Sequence, residues 1–521
     1  MRALFAILEV RQHFSVRLAR DALLTQRGWY QSEWLLTAVL LVGCGLRLHW
    51  YLFDRSLSWD EAALALNVLH KPVPALFGSL DDDQAAPVGF LLAVKVVTSM
   101  FGASERMLRL VPFVSSIGAL LLFSVAAKKF GSKNAVPLAL AFFAVSRSQL
   151  NWSSEFKQYM TDVALTLVVL LAGVWVSERR LDARRALGMA LLGAIALWCS
   201  HPVVFVLAGV GAVLAYDSVQ QRDWLRVRRL AVVGVCWSAS FALHYTVSLR
   251  QTMQNNVLMS FWDDKFLSFT EIERSLRLLG AVFVIPLDFA VRHPWPLFLV
   301  FALGCATLLE RSVTRFLFLI VPLVCLVVAS LAHVYPFYHR LILFTAPLWL
   351  LPTAEGIVAL ASRARGPLRP VGITIAAILI GLLGAASLAE AWRGPADAQG
   401  VRPLLAYLGQ HAEAGDTIYV REFIPEYKYY RAALGLDDRP FVAGQRLDPL
   451  WERREDETLD ALRGRPRVWA ISDFWQVPAR LDAIGTCLQS IPGPAAVLYL
   501  YDLSAPPRDT SDCEKRRPDA P

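Results

Sequence analysis

Apolar runs of about 16–22 residues recur along the chain from Trp34 to Leu388, separated by short polar stretches. At a rise of 1.5 Å per residue, such a run crosses a hydrocarbon core of ~30 Å as a helix. Too many of them are apolar on every side for a single soluble core to bury. Spans are predicted over 33–53, 106–127, 134–150, 161–177, 186–203, 204–216, 230–249, 294–310, 316–333, 341–361 and 371–389, about eleven in all. Two further apolar stretches, Pro87–Phe101 and Ser275–Val291, are expected to lie in or dip into the interface, with Lys95 snorkelling to the headgroups. After Glu390 the pattern changes to charged, Pro-containing sequence. Strand-like runs at Asp416–Val420, Arg467–Ile471 and Ala496–Tyr501, with helical patterns between them, predict a small α/β domain. The polar stretch Asp509–Pro521 reads as a disordered tail.

Composition agrees: of 521 residues, 55% are hydrophobic and only 18% charged, which is the balance of a polytopic helical membrane protein. A net charge of +8 would suit nucleic acid if it were gathered on one patch. Instead the cations fall in short clusters between spans: Lys128, Lys129 and Lys133; Arg179, Arg180, Arg184 and Arg185; Arg222, Arg226, Arg228 and Arg229; Arg311 and Arg315; Arg363, Arg365 and Arg369. That is the signature of cytoplasmic loops, and no nucleic-acid partner is expected. Counting Pro87–Phe101 as a crossing would move every later cluster to the wrong side. Residues 1–32, with Arg2, Arg11, Arg17, Arg20 and Arg27, read as a cytoplasmic leader. The expected organisation is this leader, a membrane domain over 33–390, an exported α/β domain over 391–508 and the tail 509–521. The same parity exports loops 54–105, 151–160 and 250–293, the His201–Pro202 turn and the Tyr335–Arg340 connection.

Most of the ionisable residues outside the basic loops then share one face. Asp60 and Glu61, in SWDEAALAL, read alone as the acidic cap of an interfacial helix with Ser56 or Ser58 at its start. Asp81, Asp82 and Asp83 read alone as a solvated turn. In NWSSEFKQYMTDVAL, Glu155, Lys157, Tyr159 and Asp162 sit at the mouth of the fourth span, where an ionised Asp162 needs a partner. Lys157 and Asp162 could equally anchor the helix to headgroups. In YPFYHRLILFTAP, Tyr338, His339 and Arg340 suit either an interfacial anchor or capture of an anion such as phosphate. His201 is a packed interfacial histidine on the simplest reading. Together, carboxylates that can activate a hydroxyl and cations that can stabilise a departing phosphate make a plausible reaction centre. Cys44, Cys199, Cys236, Cys305 and Cys325 lie in apolar spans, whereas Cys487 and Cys513 are exported and open to disulfide formation.

With these motifs in view, the sequence resembles the GT-C superfamily of polyprenyl-phosphate-sugar glycosyltransferases. It is most similar to the branch of protein O-mannosyltransferases, lipid A aminoarabinose transferases and bacterial lipopolysaccharide galacturonosyltransferases. The resemblance is carried by SWDEAALAL after the first span, by AAPVGFLLAVKVVTSMFGASERMLRLVP with its FG-x-x-E-x-x-x-R-x-x-P pattern, by EFKQYMTD and by YHRLILFTAP. It implies a GT-C-like fold and transfer of a sugar, with inversion, from a polyprenyl-phosphate donor to a glycan, lipid or protein acceptor at the outer face of a bacterial inner membrane. Asp60 is then the base and Glu61 its electrostatic neighbour. Lys157 and Arg340 face the donor phosphate, with Tyr159, Asp162, His339, Glu155 and Asp83 in supporting positions. No cofactor is required, although a divalent metal could share the charge. One departure stands out: Asp83-Gln84-Ala85-Ala86-Pro87 replaces the Glu-Lys-Pro-Pro of the aminoarabinose transferases, and Gln84 loses a cation. A flippase would instead place polar groups at mid-span, and a scaffold acting through the exported domain would be indifferent to Asp60.

Overall fold

The computed structural model describes residues 33–284, 295–363, 368–395, 400–444, 458–472 and 477–507. Its membrane part comprises α1 (Glu33–Leu52), α2 (Trp59–His70), α3 (Val88–Phe101), α4 (Leu110–Phe130), α5 (Ala135–Val145), α6 (Arg147–Ser153), α7 (Tyr159–Ser177), α8 (Ala183–Cys199), α9 (Val203–Gln220) and α10 (Trp224–His244). It continues with α11 (Trp295–Arg311), α12 (Val313–Leu331), α13 (Ala346–Arg363) and α14 (Leu368–Arg393). Seven helices among the described residues are long and apolar enough to cross a membrane: Glu33–Leu52, Leu110–Phe130, Tyr159–Ser177, Val203–Gln220, Trp224–Met253, Val313–Leu331 and His339–Ser362. The expected total of eleven adds α5, α8, α11 and α14, whose apolar stretches are shorter. Helices α11 and α13 touch backbone to backbone. A Cβ on Gly304 would meet the Pro352 carbonyl oxygen at 1.7 Å, and one on Gly356 would meet that of Val300 at 1.8 Å, so only glycine fits this crossing.

Ion pairs tie several helix ends into one set. Glu33 at the start of α1 meets Lys128 at the end of α4 (3.1 Å), and Lys129 meets Glu178 beyond α7 (2.8 Å). Arg315 of α12 reaches the same Glu178 (3.6 Å), while Arg311 of α11 pairs with Glu355 of α13 (3.1 Å). Three of the basic loops grouped from sequence therefore meet at one end of the bundle, and the long first loop projects from the other.

The structure corrects two details and bears on a third. The predicted 134–150 span is two helices, because α5 stops at Ser146, which turns out of helical geometry and caps α6 by accepting from Gln149 N–H. The carbonyls of Phe143 and Ala144 are thereby left without helical partners. Arg47, fully buried in α1, donates to both (3.2 and 3.0 Å) and to the Ser116 hydroxyl (2.8 Å). Lys95 does not reach for headgroups. It donates to the carbonyls of Val68 (2.6 Å) and Lys71 (2.8 Å), closing the C-terminal end of α2, where the helix dipole favours a cation. The stretch from Ser275 is helical over Ile272–Val284, and its remainder lies outside the described residues.

The C-terminal region adds α15 (Arg402–His411), α16 (Ile424–Tyr430) and strands β1 (Thr417–Val420), β2 (Phe441–Ala443), β3 (Val468–Ser472), β4 (Thr486–Pro492) and β5 (Val497–Asp502). They form one five-stranded sheet in the order β2-β1-β3-β5-β4. Strands β2, β1 and β3 run parallel, and β5 and β4 are antiparallel neighbours. The sequence pattern marks β1, β3 and β5, which are almost wholly buried. It misses β2, which is short, and β4, whose burial is broken by a bulge between Cys487 and Gln489. One face of the sheet closes a core of its own around Tyr419, Val468, Ala470, Tyr499 and Tyr501, while the other face shares its core with the first loop. Leu57, Ala62, Leu64, Ala65 and Val68 around α2, Phe90, Leu91 and Val94 of α3, and Leu404, Leu405, Ile418, Val420 and Tyr427 form one apolar cluster.

Candidate active site

The site is built on the first turn of α2. Ser58 caps this helix reciprocally: its hydroxyl accepts from Glu61 N–H (3.4 Å) and its own N–H donates to the Glu61 carboxylate (3.0 Å). Glu61 is 1% exposed and fully engaged. Arg109 donates to both its oxygens (2.8 and 2.7 Å), and Phe156 N–H adds a third donor (2.7 Å). Burial alone would raise its pKa, but the Arg109 guanidinium and the donated hydrogen bonds hold it down to about 2. Arg109 also donates to the carbonyls of Arg55 (3.1 Å) and Ser56 (2.9 Å), so one guanidinium ties the chain before α2 to the helix itself. On the C-terminal side of the molecule, the Tyr430 hydroxyl accepts from Leu57 N–H (2.8 Å) and donates to Glu105. Arg402 spans Asp54 (2.9 Å) and Glu105 (2.6 Å).

So fixed, the helix turns Asp60 toward cations that come from far along the chain. Arg340, at the start of a 3₁₀ turn over His339–Thr345, donates to Asp60 Oδ2 at 2.8 Å. Lys157 Nζ lies 3.9 Å from Asp60 Oδ1 and donates to Gln84 Oε1 at 2.7 Å. Burial works against the Asp60 charge, yet Lys157 and Arg340 outweigh it and hold the carboxyl below its ordinary range. Burial pushes the Lys157 ammonium below the usual lysine range. Trp262 lies under the Arg340 guanidinium, 5.5 Å from its ring centroid. Glu155 accepts from Asn151 (3.2 Å) and lies 3.9 Å from Arg55; burial raises its carboxyl to about 7 against the pull of that arginine.

The remaining predicted residues are placed as follows. Tyr159, on the first turn of α7, is buried edge-on against Trp152 with ring centroids 4.6 Å apart. Asp162 is buried one turn deeper, and its Oδ1 has no hydrogen-bond partner among the described residues. His339 is half-buried beside Arg340, with its ring 6.3 Å from that of Tyr338. Asp83 accepts from Asn255 (2.8 Å) and Asp81 from Lys71 (2.8 Å), so these acids serve the loop. Asp82 and Asp83 both have left-handed backbone (φ 54° and 50°), and this turn delivers Gln84 to Lys157. His201 faces His244 with ring centroids 5.6 Å apart. Cys487 is buried on β4, and Cys513 lies outside the described residues. Among the described residues no group of three or more His, Cys, Asp and Glu could hold a metal ion. Asp60 and Glu61 face the protein cations Arg340 and Arg109.

Sequence reading thus gathers Asp60, Lys157 and Arg340, and the structure brings them into contact. It misses Gln84, treated only as a departure, and Arg109 and Glu105, quoted only as motif letters. Their signal was the FG-x-x-E-x-x-x-R-x-x-P spacing, whose acid and base turn out to brace the two sides of α2.

No family model and no curated protein matches the sequence. Among solved structures, the oligosaccharyltransferase of Archaeoglobus fulgidus, solved with Zn and sulfate, matches over 90% of this chain and 73% of its own at 13% identity, with a TM-score of 0.53. ArnT from Cupriavidus metallidurans, bound to undecaprenyl phosphate, matches over 89% of this chain and 97% of its own at 15% identity, with a TM-score of 0.51. The archaeal protein in complex with an inhibitory peptide and a dolichol-phosphate matches over 91% and 74% at 13% identity, with a TM-score of 0.50. These neighbours are GT-C glycosyltransferases, and the likeness establishes that this chain has their fold, as the sequence motifs led us to expect.

Proposed function

We propose that the protein is an inverting glycosyltransferase of the bacterial inner membrane. It moves a sugar from an undecaprenyl-phosphate-type donor to an acceptor hydroxyl on the non-cytoplasmic face. One observation carries the reading: within a GT-C fold, the Asp60 carboxylate stands between two cations, Arg340 at 2.8 Å and Lys157 at 3.9 Å, on a helix anchored from several sides. The reaction needs a base for the acceptor and positive charge for the leaving phosphate. Asp60 takes the acceptor's proton as the acceptor oxygen bonds to the anomeric carbon from the face opposite the phosphate. The anomeric C–O bond breaks, and its electron pair leaves on the polyprenyl phosphate, where Arg340 and Lys157 stabilise it. No general acid is required, because a phosphate leaving group needs charge neutralisation more than a proton. Glu61 acts through α2 as a positioning residue, and Gln84 orients Lys157.

The N-terminus is cytoplasmic in this reading, and the C-terminal domain braces α2 from the outer side. The test is sugar transfer by the purified protein in nanodiscs from a panel of polyprenyl-phosphate-linked sugars to envelope lipid, glycan and protein acceptors. Wild type should turn over at least one donor and Asp60→Asn should not. Equal transfer by both proteins, or no turnover of any donor, would falsify the proposal.

A further inference from the structure

The two cations assigned above to the donor phosphate are already occupied by the base. Arg340 spends an Nη on Asp60 Oδ2, and Lys157 faces Oδ1, so both carboxylate oxygens are turned toward cations. Arg340 nevertheless keeps a buried Nε with no hydrogen-bond partner among the described residues. Its face rests on Trp262, which fixes the plane of the guanidinium without satisfying that N–H. Lys157 is almost fully buried, and its hydrogen bond goes to the neutral Gln84 carboxamide. Nearby, the Glu61 charge is consumed by Arg109. Locally, with Glu155 facing Arg55 at 3.9 Å, two positive groups face one committed negative group, and Arg340 keeps an unfilled donor.

We infer that Asp60 is the internal counter-ion of the phosphate subsite: it competes with the donor phosphate for Arg340 and Lys157 and is released as a base when the donor binds. The inference rests on the donor reading above. Charge counting supports it through the whole reaction. A donor phosphodiester brings one negative charge, so two cations then face two anions. During transfer the acceptor's proton neutralises Asp60 while the departing phosphate gains a second negative charge. The total stays at two against two, and the cations pass from the carboxylate to the phosphate without an uncompensated charge in a poorly solvated site. An acceptor arriving first would meet a carboxylate tied to Arg340 and held below its usual basicity. Donor therefore binds before acceptor.

The measurement is the affinity of the full-length protein in nanodiscs for undecaprenyl phosphate, the product-side probe. Folding of each variant is checked by gel filtration and thermal midpoint. Asp60→Asn, which mimics the protonated base, and Asp60→Ala, which removes the competitor, should each bind about twofold to fivefold tighter than wild type, the effect of freeing a partly exposed ion pair. Arg340→Ala and Lys157→Met should bind more weakly. If the cation variants weaken binding but both Asp60 variants bind as wild type or worse, the counter-ion inference is overturned and the donor reading stands. Saturable binding by none of the proteins would overturn both.

Discussion

Both ends of the helix bundle carry ion pairs, and the pairs closest to Asp60 differ from those of the basic loops in how far they are buried. At the basic-loop end most of the pairs are wet, Lys128 and Glu33 being 49% and 80% exposed, although Glu355 beneath Arg311 is buried. At the other end Arg109 and Glu61 are 4% and 1% exposed, and Lys157 is 6% exposed beside Asp60. Exposed pairs are worth roughly 0–1 kcal/mol, because solvent screens them and ordering long side chains costs entropy. Buried charges cost several kcal/mol each to desolvate, and removing one partner strands the other. The exposed pairs of the basic end can be lost at little cost, whereas the buried charges around α2 depend on their partners.

Substitutions can break that contrast in four places. The largest effect is expected at Asp60: Asp60→Asn should lower the transfer rate by ~10²–10⁴-fold while leaving the thermal midpoint within a few degrees of wild type. A loss of folding in proportion to the loss of rate would make Asp60 one more structural acid. Its neighbour should do the reverse. Glu61→Gln strands Arg109 and should cost about 3–5 kcal/mol of stability, read as a fall in thermal midpoint in detergent; an unchanged midpoint would show that Arg109 finds another partner.

The third test is one of pH. Glu155 has a folded pKa of about 7, above its ordinary 4.5, so the folded state keeps a proton that the unfolded chain releases. Stability from this group is therefore complete below pH 4.5 and is lost as pH rises through 7, with a slope of up to about 1.4 kcal/mol per pH unit. Glu61, held at about 2, has the opposite sign: its contribution is present above pH 4.5 and fades as pH falls toward 2. Thermal midpoints of wild type and Glu155→Gln should accordingly diverge between pH 4.5 and 7, with wild type falling; parallel curves would mean that Glu155 stays ionised. The smallest effect belongs to the wet end, where Lys128→Ala should change stability by less than about 0.5 kcal/mol, and a larger shift in the same melting assay would count against the contrast.

How far this was legible in the sequence depends on the kind of signal. Membrane helices are written in long apolar runs and their parity in the basic loops, so the placement of the named acids at one end could be read without coordinates. The meeting of Asp60 with Arg340, 280 positions away, followed from that parity and from motif likeness. What could not be read was the division of labour between Asp60 and Glu61. Adjacent acids on a helix point about 100° apart, and only the position of Arg109 decides which of them is consumed. The simple capping reading was right for Glu61 and incomplete for Asp60. Lys95 and Arg47 were equally opaque, since each answers backbone carbonyls whose freedom depends on where a neighbouring helix stops.

The hydrogen bond from Leu57 to Tyr430 joins residues 373 positions apart, and the apolar cluster around α2 closes only with side chains from the C-terminal sheet. Synthesis at ~5–20 residues per second puts roughly 20–75 s between the appearance of these two halves. During that interval the helix bearing Asp60 is already made, but its core lacks a wall. A chain that lacks the C-terminal sheet therefore presents Asp60 on a helix without the Tyr430 bond and without that apolar wall.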